Sequence, residues 1–314
     1  MSATPKTDLG GRAAVIGAGL MGHGIAQVLA VAGLEVVVSD PVAEARRSLH
    51  ERIAANLEQL GIDKQALERI STLAAAEKAV QGTDWVFEAA PEDLELKQDL
   101  FARLDAAAPA DAVLATNTSV MKVQDVAARA QRRGRILGTH WWNPPFLVPL
   151  VEVVQGPDTE PRTVRRAIDL LRTLGKTPVH VRRDVAGFVG NRLQHALWRE
   201  AFDLVDKGVC DPETVDTVIK AGFGRRLAVL GPIENADLVG LDLTLAIHEY
   251  LLPQLDPSSQ PAKGLRERVT RGELGVKTGS GFLDWSDEKA AQTRRRVLEH
   301  LAAAASEDDH RGEA

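Results

Sequence analysis

After a polar start, short apolar runs alternate with longer amphipathic stretches along the chain as far as Asp184. The short runs Ala13–Ile16, Glu35–Ser39, Trp85–Glu88, Ala112–Thr116, Arg135–Thr139, Leu150–Val154 and Pro178–Val181 read as strands. Between them, Gly22–Ala32, Val42–Leu60, Leu94–Ala107 and Pro161–Leu174 carry helical periodicity. This alternation predicts a parallel sheet enclosed by helical layers. Past Asp184 the strand-like runs stop, and Val189, Leu193, Leu197, Phe202 and Val205 form an apolar stripe at helical spacing. Asp211-Pro212 reads as an N-cap followed by proline in the first turn, with Gly222 as the stop of that helix. The expected organisation is a flexible leader over 1–11, an α/β domain over 12–183 and an all-α domain over 184–286. A surface helix with a disordered tail from Ser306 onward is expected over 287–314.

The 314 residues suit two domains, each able to bury a core. A formal net charge of −6 argues against non-specific nucleic-acid binding, which needs Lys and Arg to neutralise phosphates. No apolar run approaches the roughly 20 residues that span a bilayer, and the leader lacks the apolar stretch of a signal peptide. Cys210 is alone, so neither a disulfide framework nor a cysteine-based zinc site can form. A soluble cytoplasmic protein without membrane contact is expected.

The stretch Gly17-Ala18-Gly19-Leu20-Met21-Gly22 directly follows an apolar strand and opens a helix, the context that gives GxGxxG its meaning. Gly17 permits the tight turn, Gly19 lets backbone approach a pyrophosphate, and Gly22 allows close helix–strand packing. The helix N-terminus adds free N–H donors and positive potential. About 20 residues on, a second strand ends in Ser39-Asp40, where a carboxylate accepts hydrogen bonds from the ribose hydroxyls of a dinucleotide. That charge repels the 2′-phosphate of NADP, so NAD is the expected cofactor in a Rossmann-type domain.

In an open parallel sheet, ligands bind beyond the carboxyl ends of the strands. Three such ends carry polar residues: Glu88, the run Asn117-Thr118-Ser119, and His140. On the next strand, Glu152 sits among apolar neighbours and needs a partner. Oxidation of an alcohol by NAD needs a base for the hydroxyl proton, and a histidine held by a carboxylate suits that task. Spacing alone does not show that Glu152 reaches His140. A polar histidine at a strand end and an unrelated edge-strand glutamate is the other reading of the same residues.

The segments Gly138-Thr139-His140-Trp141-Trp142-Asn143-Pro144-Pro145, Val151-Glu152-Val153-Val154, Gly187-Phe188-Val189-Gly190-Asn191-Arg192 and Gly275-Val276-Lys277-Thr278-Gly279-Ser280-Gly281-Phe282 together resemble the 3-hydroxyacyl-CoA dehydrogenase family. The resemblance implies a catalytic His140–Glu152 pair, with Ser119 and Asn191 hydrogen-bonding the reacting oxygen and no metal. It also implies cofactor contacts at Leu20, Met21, Glu88, Asn117, Asn143 and Lys277, besides the glycines and Asp40. A homodimer formed through the C-terminal domain and a place in fatty acid metabolism are further implications. The implied reaction is NAD-dependent oxidation of an L-3-hydroxyacyl-CoA.

Two departures bear on the substrate. Family members acting on CoA esters resemble one another in a lysine-rich helical hairpin, whereas Asn56–Gln65 is short and keeps only Lys64. Arg225 and Arg226 precede Gly231-Pro232, where a guanidinium can bind a substrate carboxylate bidentately, or can be a solvated or interfacial pair. Trp141, beside His140, either lines a substrate pocket or belongs to the core. A dehydrogenase of a free hydroxy acid, of L-gulonate or pyridine carboxylate type, and a non-catalytic crystallin-like NAD-binding protein are the alternatives.

Overall fold

The computed structural model describes residues 11–311; the expected leader before Gly11 and the end of the expected tail lie outside the described residues. Two compact units form, one running to Arg192 and resuming at Glu299, the other spanning Leu193–Leu298.

The first unit contains an eight-stranded sheet. In chain order the strands are β1 (Arg12–Ile16), β2 (Glu35–Ser39), β3 (Ile70–Leu73), β4 (Trp85–Glu88), β5 (Val113–Thr116), β6 (Ile136–Trp141), β7 (Leu150–Val154) and β8 (Thr177–Val181). Their spatial order is β3-β2-β1-β4-β5-β6-β7-β8. The first six follow the Rossmann winding, whose chain reverses direction across the sheet between β1 and β4 and opens a crevice there. The helices are α1 (Leu20–Val31), α2 (Ala43–Arg47), α3 (Leu49–Gln59), α4 (Ala76–Ala79), α5 (Leu94–Ala107), α6 (Val123–Val126) and α7 (Pro161–Thr173).

Successive side chains of a strand point to opposite faces, and both faces here are apolar. Ala13 and Val15 of β1 join Ile25, Leu29, Ile53 and Leu171 from α1, α3 and α7. Ala14 and Ile16 join Leu100, Phe101 and Leu104 of α5 and Val126 of α6 on the other face. This double burial is why these strands read as continuous apolar runs.

Four expectations need correction. The edge strand β3 has no counterpart among the predicted strands, because only Ile70 of its four residues is buried and no apolar run marks it. The predicted helix over Val42–Leu60 is two helices with a break at Ser48, whose hydroxyl donates to the Glu44 carbonyl and competes with the helical pattern. The sheet is not wholly parallel. Strand β7 runs antiparallel to β6, and β6 extends through His140 to Trp141.

In the second unit, α8 (Gly190–Asp206), which starts in the first unit, leads to α9 (Pro212–Ala221), α10 (Pro232–Val239), α11 (Leu241–Leu251) and α12 (Lys263–Thr270). Asp211 caps α9 as expected, accepting the Thr214 N–H at 2.7 Å. Phe202 stacks on Phe282 with ring centroids 5.0 Å apart, and the Arg268 guanidinium covers Phe282. Apart from that small cluster the unit is open, with only Gly264 and Ala290 fully buried among its residues. The last helix, α13 (Asp287–Arg311), corrects the expected disorder from Ser306. The alanine run Ala302–Ala305 has the highest helix propensity and carries the helix onward. No described helix is long and apolar enough to cross a membrane.

Candidate active site

The glycine loop joins β1 to α1 at the crevice. Gly17 has φ +108°, and a side chain there would meet the Ala89 carbonyl at 2.5 Å. At Gly22 a Cβ would lie 1.8 Å from the Gly17 carbonyl oxygen, so helix and loop approach as closely as they do only without a side chain. Gly19 differs, because a Cβ there meets nothing within 4 Å. That open space lies over the N-terminus of α1, which has no acidic residue in its first turn. Leu20, 65 % exposed, and the half-buried Met21 follow it. The cradle fits an anionic dinucleotide.

Asp40 closes the far side of this loop. One carboxylate oxygen accepts the Ala18 N–H at 2.8 Å and the other accepts the Val42 N–H at 2.8 Å. Each oxygen keeps a lone pair for a further donor. The neighbouring arginines are engaged locally, since Arg46 donates to the Asp40 carbonyl and Arg47 pairs with Glu44 at 2.7 Å. Arg52, not singled out in the sequence, donates to the Ala18 carbonyl at 2.7 Å and the Ala45 carbonyl at 3.0 Å. It fastens α3 under the loop. His23 is buried, with Nδ1 at 2.9 Å from the Gly19 carbonyl. Burial holds its pKa below the ordinary value, against the Gly19 hydrogen bond and with help from the Arg52 charge.

Glu88 and Asn117 support the strand ends from within. The Glu88 carboxylate is fully buried and takes a hydrogen bond from Lys97 at 2.6 Å, from the Thr116 hydroxyl at 2.7 Å and from the Ala90 N–H at 2.7 Å. With its surface enclosed, the Glu88 side chain ties the strand ends at Ala90 and Thr116 together. Stripping a buried charge of its partner costs about 3–5 kcal/mol, which keeps Lys97 and Glu88 together. Lys97 could have been found as a charged residue in the apolar register of Leu100 and Leu104. The Asn117 side-chain oxygen accepts the Trp141 N–H at 2.9 Å and so couples β5 to β6.

His140 and Glu152 face each other across the antiparallel pair β6–β7. Nδ1 of His140 lies 2.7 Å from Glu152 Oε2, and the residues are 4 % and 1 % exposed. The other oxygen, Oε1, accepts the N–H groups of Val189 at 2.9 Å and Gly190 at 3.0 Å. Burial pushes the Glu152 carboxyl upward, but the His140 hydrogen bond and the Gly190 and Val189 N–H groups outweigh it and hold it below its ordinary pKa. A carboxylate accepting from Nδ1 places the imidazole proton on that nitrogen. Nε2, bonded by no described residue, is left with a lone pair and can accept a proton.

Asn191 follows directly, buried, and its amide donates to the Ser119 carbonyl at 2.8 Å. Glu92 holds the same residue from the other side, accepting the Ser119 N–H at 2.5 Å and the Thr118 hydroxyl at 3.0 Å. With backbone N–H and carbonyl both tied, the Ser119 hydroxyl has no partner among the described residues. The four expected residues thus form one chain of contacts, Ser119 to Asn191 to Gly190 to Glu152 to His140. The rings of Trp142, next to His140 but one in the sequence, and of Phe188, which sequence reasoning missed, flank His140 with centroids 5.1 and 5.7 Å away.

Other expected positions fall elsewhere. Trp141 is 2 % exposed and packs edge-on against Phe87, so it belongs to the core and not to a substrate pocket; a residue of β6 next to His140 points to the opposite face. Asn143 is exposed at the start of the loop from β6 to β7. In the second unit, Lys277 is exposed in the turn closed by the Gly275–Ser280 bridge. Arg225 and Arg226 are exposed, without an acidic partner among the described residues. Among the described residues no group of three or more His, Cys, Asp or Glu side chains could hold a metal ion.

Comparison with known proteins joins these observations. The chain is 37 % identical over 290 residues to 5-formyl-3-hydroxy-2-methylpyridine 4-carboxylate 5-dehydrogenase of Mesorhizobium japonicum, covering 90 % of this chain and 94 % of that protein. It is 40 % identical over 251 residues to L-carnitine dehydrogenase of Streptomyces griseus, covering 79 % and 74 %. A solved 5-dehydrogenase of the same pyridine carboxylate, an NAD+-dependent dismutase, aligns with TM-score 0.87 at 33 % identity, over 93 % of this chain and 96 % of that one. A solved (S)-3-hydroxybutyryl-CoA dehydrogenase of Ralstonia eutropha aligns with TM-score 0.73 at 34 % identity, over 88 % and 99 %. Residues 12–185 match the NAD-binding domain and residues 187–285 the C-terminal domain of 3-hydroxyacyl-CoA dehydrogenase. The chain belongs to the 3-hydroxyacyl-CoA dehydrogenase family and is an NAD-dependent dehydrogenase acting on a hydroxyl group.

Proposed function

We propose that the chain oxidises the carbinol of a small free hydroxy acid, with His140 as the general base. The observation that carries the reading is the buried His140–Glu152 hydrogen bond of 2.7 Å. His140 Nε2 takes the hydroxyl proton while the carbinol C–H bond breaks and a carbonyl forms. NAD+, held by the glycine loop and Asp40, would supply the acceptor for the hydride that leaves the carbinol carbon. Glu152 stays ionised and stabilises the imidazolium that results. The Ser119 hydroxyl and the remaining N–H of the Asn191 amide hydrogen-bond the reacting oxygen.

On the cofactor side, Gly17, Gly19, Leu20, Met21 and Gly22 hold the pyrophosphate, and Asp40 reads the adenosine ribose. Glu88 and Asn117 brace the strand ends beneath the cofactor; Asn143 and Lys277 are further contacts. Asp40→Ala is expected to weaken NADH binding by about tenfold or more, from the loss of charge-assisted hydrogen bonds. NADPH binding should weaken less. Because Asp40 also holds the Ala18 N–H, the NADH-to-NADPH affinity ratio in a fluorescence titration is the discriminating quantity. An unchanged ratio removes Asp40 from ribose recognition.

Two observations favour a free acid over a CoA ester. At nearly equal identity, the backbone follows the pyridine-carboxylate dehydrogenase more closely than the hydroxybutyryl-CoA enzyme. The shortened stretch after α3 has no basic cluster, and its Lys64 is paired with Glu58 at 2.8 Å. Arg225 and Arg226 are the candidates for a substrate carboxylate. The second reading, oxidation of an L-3-hydroxyacyl-CoA, has the family description behind it. NADH release from carnitine, gulonate and pyridine carboxylates, set beside L-3-hydroxyacyl-CoA esters, decides between them. A kcat/KM advantage on the order of tenfold to a hundredfold for a free acid is expected; preference for the CoA ester reverses the assignment.

We also infer a homodimer formed through the helical unit. Helix α11, Leu-Asp-Leu-Thr-Leu-Ala-Ile-His-Glu-Tyr-Leu, exposes Leu241, Leu243, Leu245, Ile247, Tyr250 and Leu251, and all its residues but Thr244 are exposed. A contiguous set of exposed apolar side chains of that size marks an interaction surface. A second copy of the same surface is the occupant that the family resemblance implies. The lone Cys210 suits a reducing cytoplasm.

A further inference from the structure

Among the described residues, Phe188 is the one non-glycine residue with positive φ, at +50°. The left-handed region disfavours a bulky side chain, and residues held there concentrate at functional sites. Gly187, just before it, has φ +74°, so the backbone is left-handed at two successive positions. The turn they make is fastened at both ends. Gly187 donates to the Val120 carbonyl at 3.1 Å and accepts from the Arg192 N–H at 3.2 Å, and Phe188 donates to the Val185 carbonyl at 3.1 Å. Directly after the turn, the Val189 and Gly190 N–H groups both point to Glu152 Oε1. The Phe188 ring, 1 % exposed, packs inward on His140.

We propose that Phe188 is a positioning residue whose left-handed backbone aims the Val189 and Gly190 N–H groups at Glu152 and so fixes the carboxylate that orients His140. The inference rests on the reading of His140 as general base. Its physical content is that two N–H donors stabilise the ionised form of Glu152, and they converge on one oxygen only if the turn precedes them. Space beside the carboxylate is equally restricted. A Cβ at Gly190 would lie 2.4 Å from the Trp142 ring and 3.3 Å from Glu152 Oε2.

The surroundings leave Glu152 few other sources of charge compensation. Across β6 its neighbour is His140, and across β8 it is Val179. His180 of β8 hydrogen-bonds Gln155, and Arg192 of α8 turns to the Ala186 carbonyl. If the N–H donors move away, protonation of the His140–Glu152 pair becomes easier. The acid limb of the kcat/KM profile then moves to higher pH.

The test compares Phe188→Ile with Phe188→Gly. Both remove the aromatic ring, but a β-branched residue resists the left-handed region while glycine enters it freely. Expected for Phe188→Ile is an acid limb about one pH unit above that of Phe188→Gly, as the loss of one charge-assisted hydrogen bond predicts. Its kcat should fall about tenfold to a hundredfold further. Fluorescence titration with NADH shows whether each variant is folded. If Phe188→Ile does not bind NADH, Gly190→Ala displaces the same N–H group without touching Phe188, and its acid limb should rise above wild type in the same direction. Coincident profiles for the two Phe188 variants, or a wild-type profile for Gly190→Ala, overturn the inference. Wild-type turnover by His140→Ala would instead overturn the assignment of the base, whatever the Phe188 variants do.

Discussion

Replacing His140 with alanine is expected to lower kcat by roughly 10² to 10⁴-fold, the usual contribution of a positioned general base, with NAD binding intact. Separation of the two effects follows from the layout of the first unit. The dinucleotide cradle is built from the loop after β1 and the end of β2, whereas His140 sits on β6, beyond β4 and β5 in the sheet. Removing an imidazole that Glu152 and two aromatic rings surround also leaves a buried carboxylate without its side-chain partner. The Val189 and Gly190 N–H groups still hold Oε1 of that carboxylate while Oε2 loses its partner, so the cofactor titration also reads whether the variant folds. Stopped-flow NADH formation gives the rate and fluorescence titration gives the cofactor affinity. Wild-type turnover in this variant would remove His140 from the reaction.

The second large effect concerns assembly. Ile233→Glu together with Leu238→Glu should convert a dimer into monomers or aggregates and inactivate the enzyme. These side chains are 77 % and 75 % exposed on α10, next to the apolar helix α11, in a unit with almost no buried residues of its own. Helices of this length hold together in water by packing an apolar face, not by propensity alone. Burying one such side chain is worth about 1.5–3 kcal/mol, and a two-fold interface counts each position twice. The dissociation constant is therefore expected to rise roughly a thousandfold or more. Light scattering on a size-exclusion column reads the mass directly; a monodisperse monomer for the unsubstituted chain would refute the dimer.

Features that depend on local backbone were legible in the residues. The glycine loop, Asp40, the Asp211 cap and the helix over Leu94–Ala107 appear where expected, because turn geometry, caps and helical periodicity are properties of neighbouring residues. The edge strand β3 and the break at Ser48 were not legible. One has a single buried residue to announce it, and the other turns on a hydroxyl whose partner is chosen only in the folded chain.

His140 and Glu152 show the division most clearly. Each was recognisable as a polar residue in an apolar setting, and family motifs suggested that they act together. Their pairing is a matter of register: β7 reverses against β6 and sets the two residues opposite each other. The same register turns Trp141 into the core, away from the site it adjoins in sequence. Lys97 under Glu88 and Phe188 beside His140 likewise acquire their roles from residues distant in the chain. The sequence by itself determined the cofactor class, the α/β and helical halves and the chemical types available for catalysis, since these follow from local pattern and composition. Only the tertiary structure decided which carboxylate meets the histidine and which backbone N–H groups hold it, because a hydrogen bond between residues far apart exists only once the sheet register and the Phe188 turn bring them within reach.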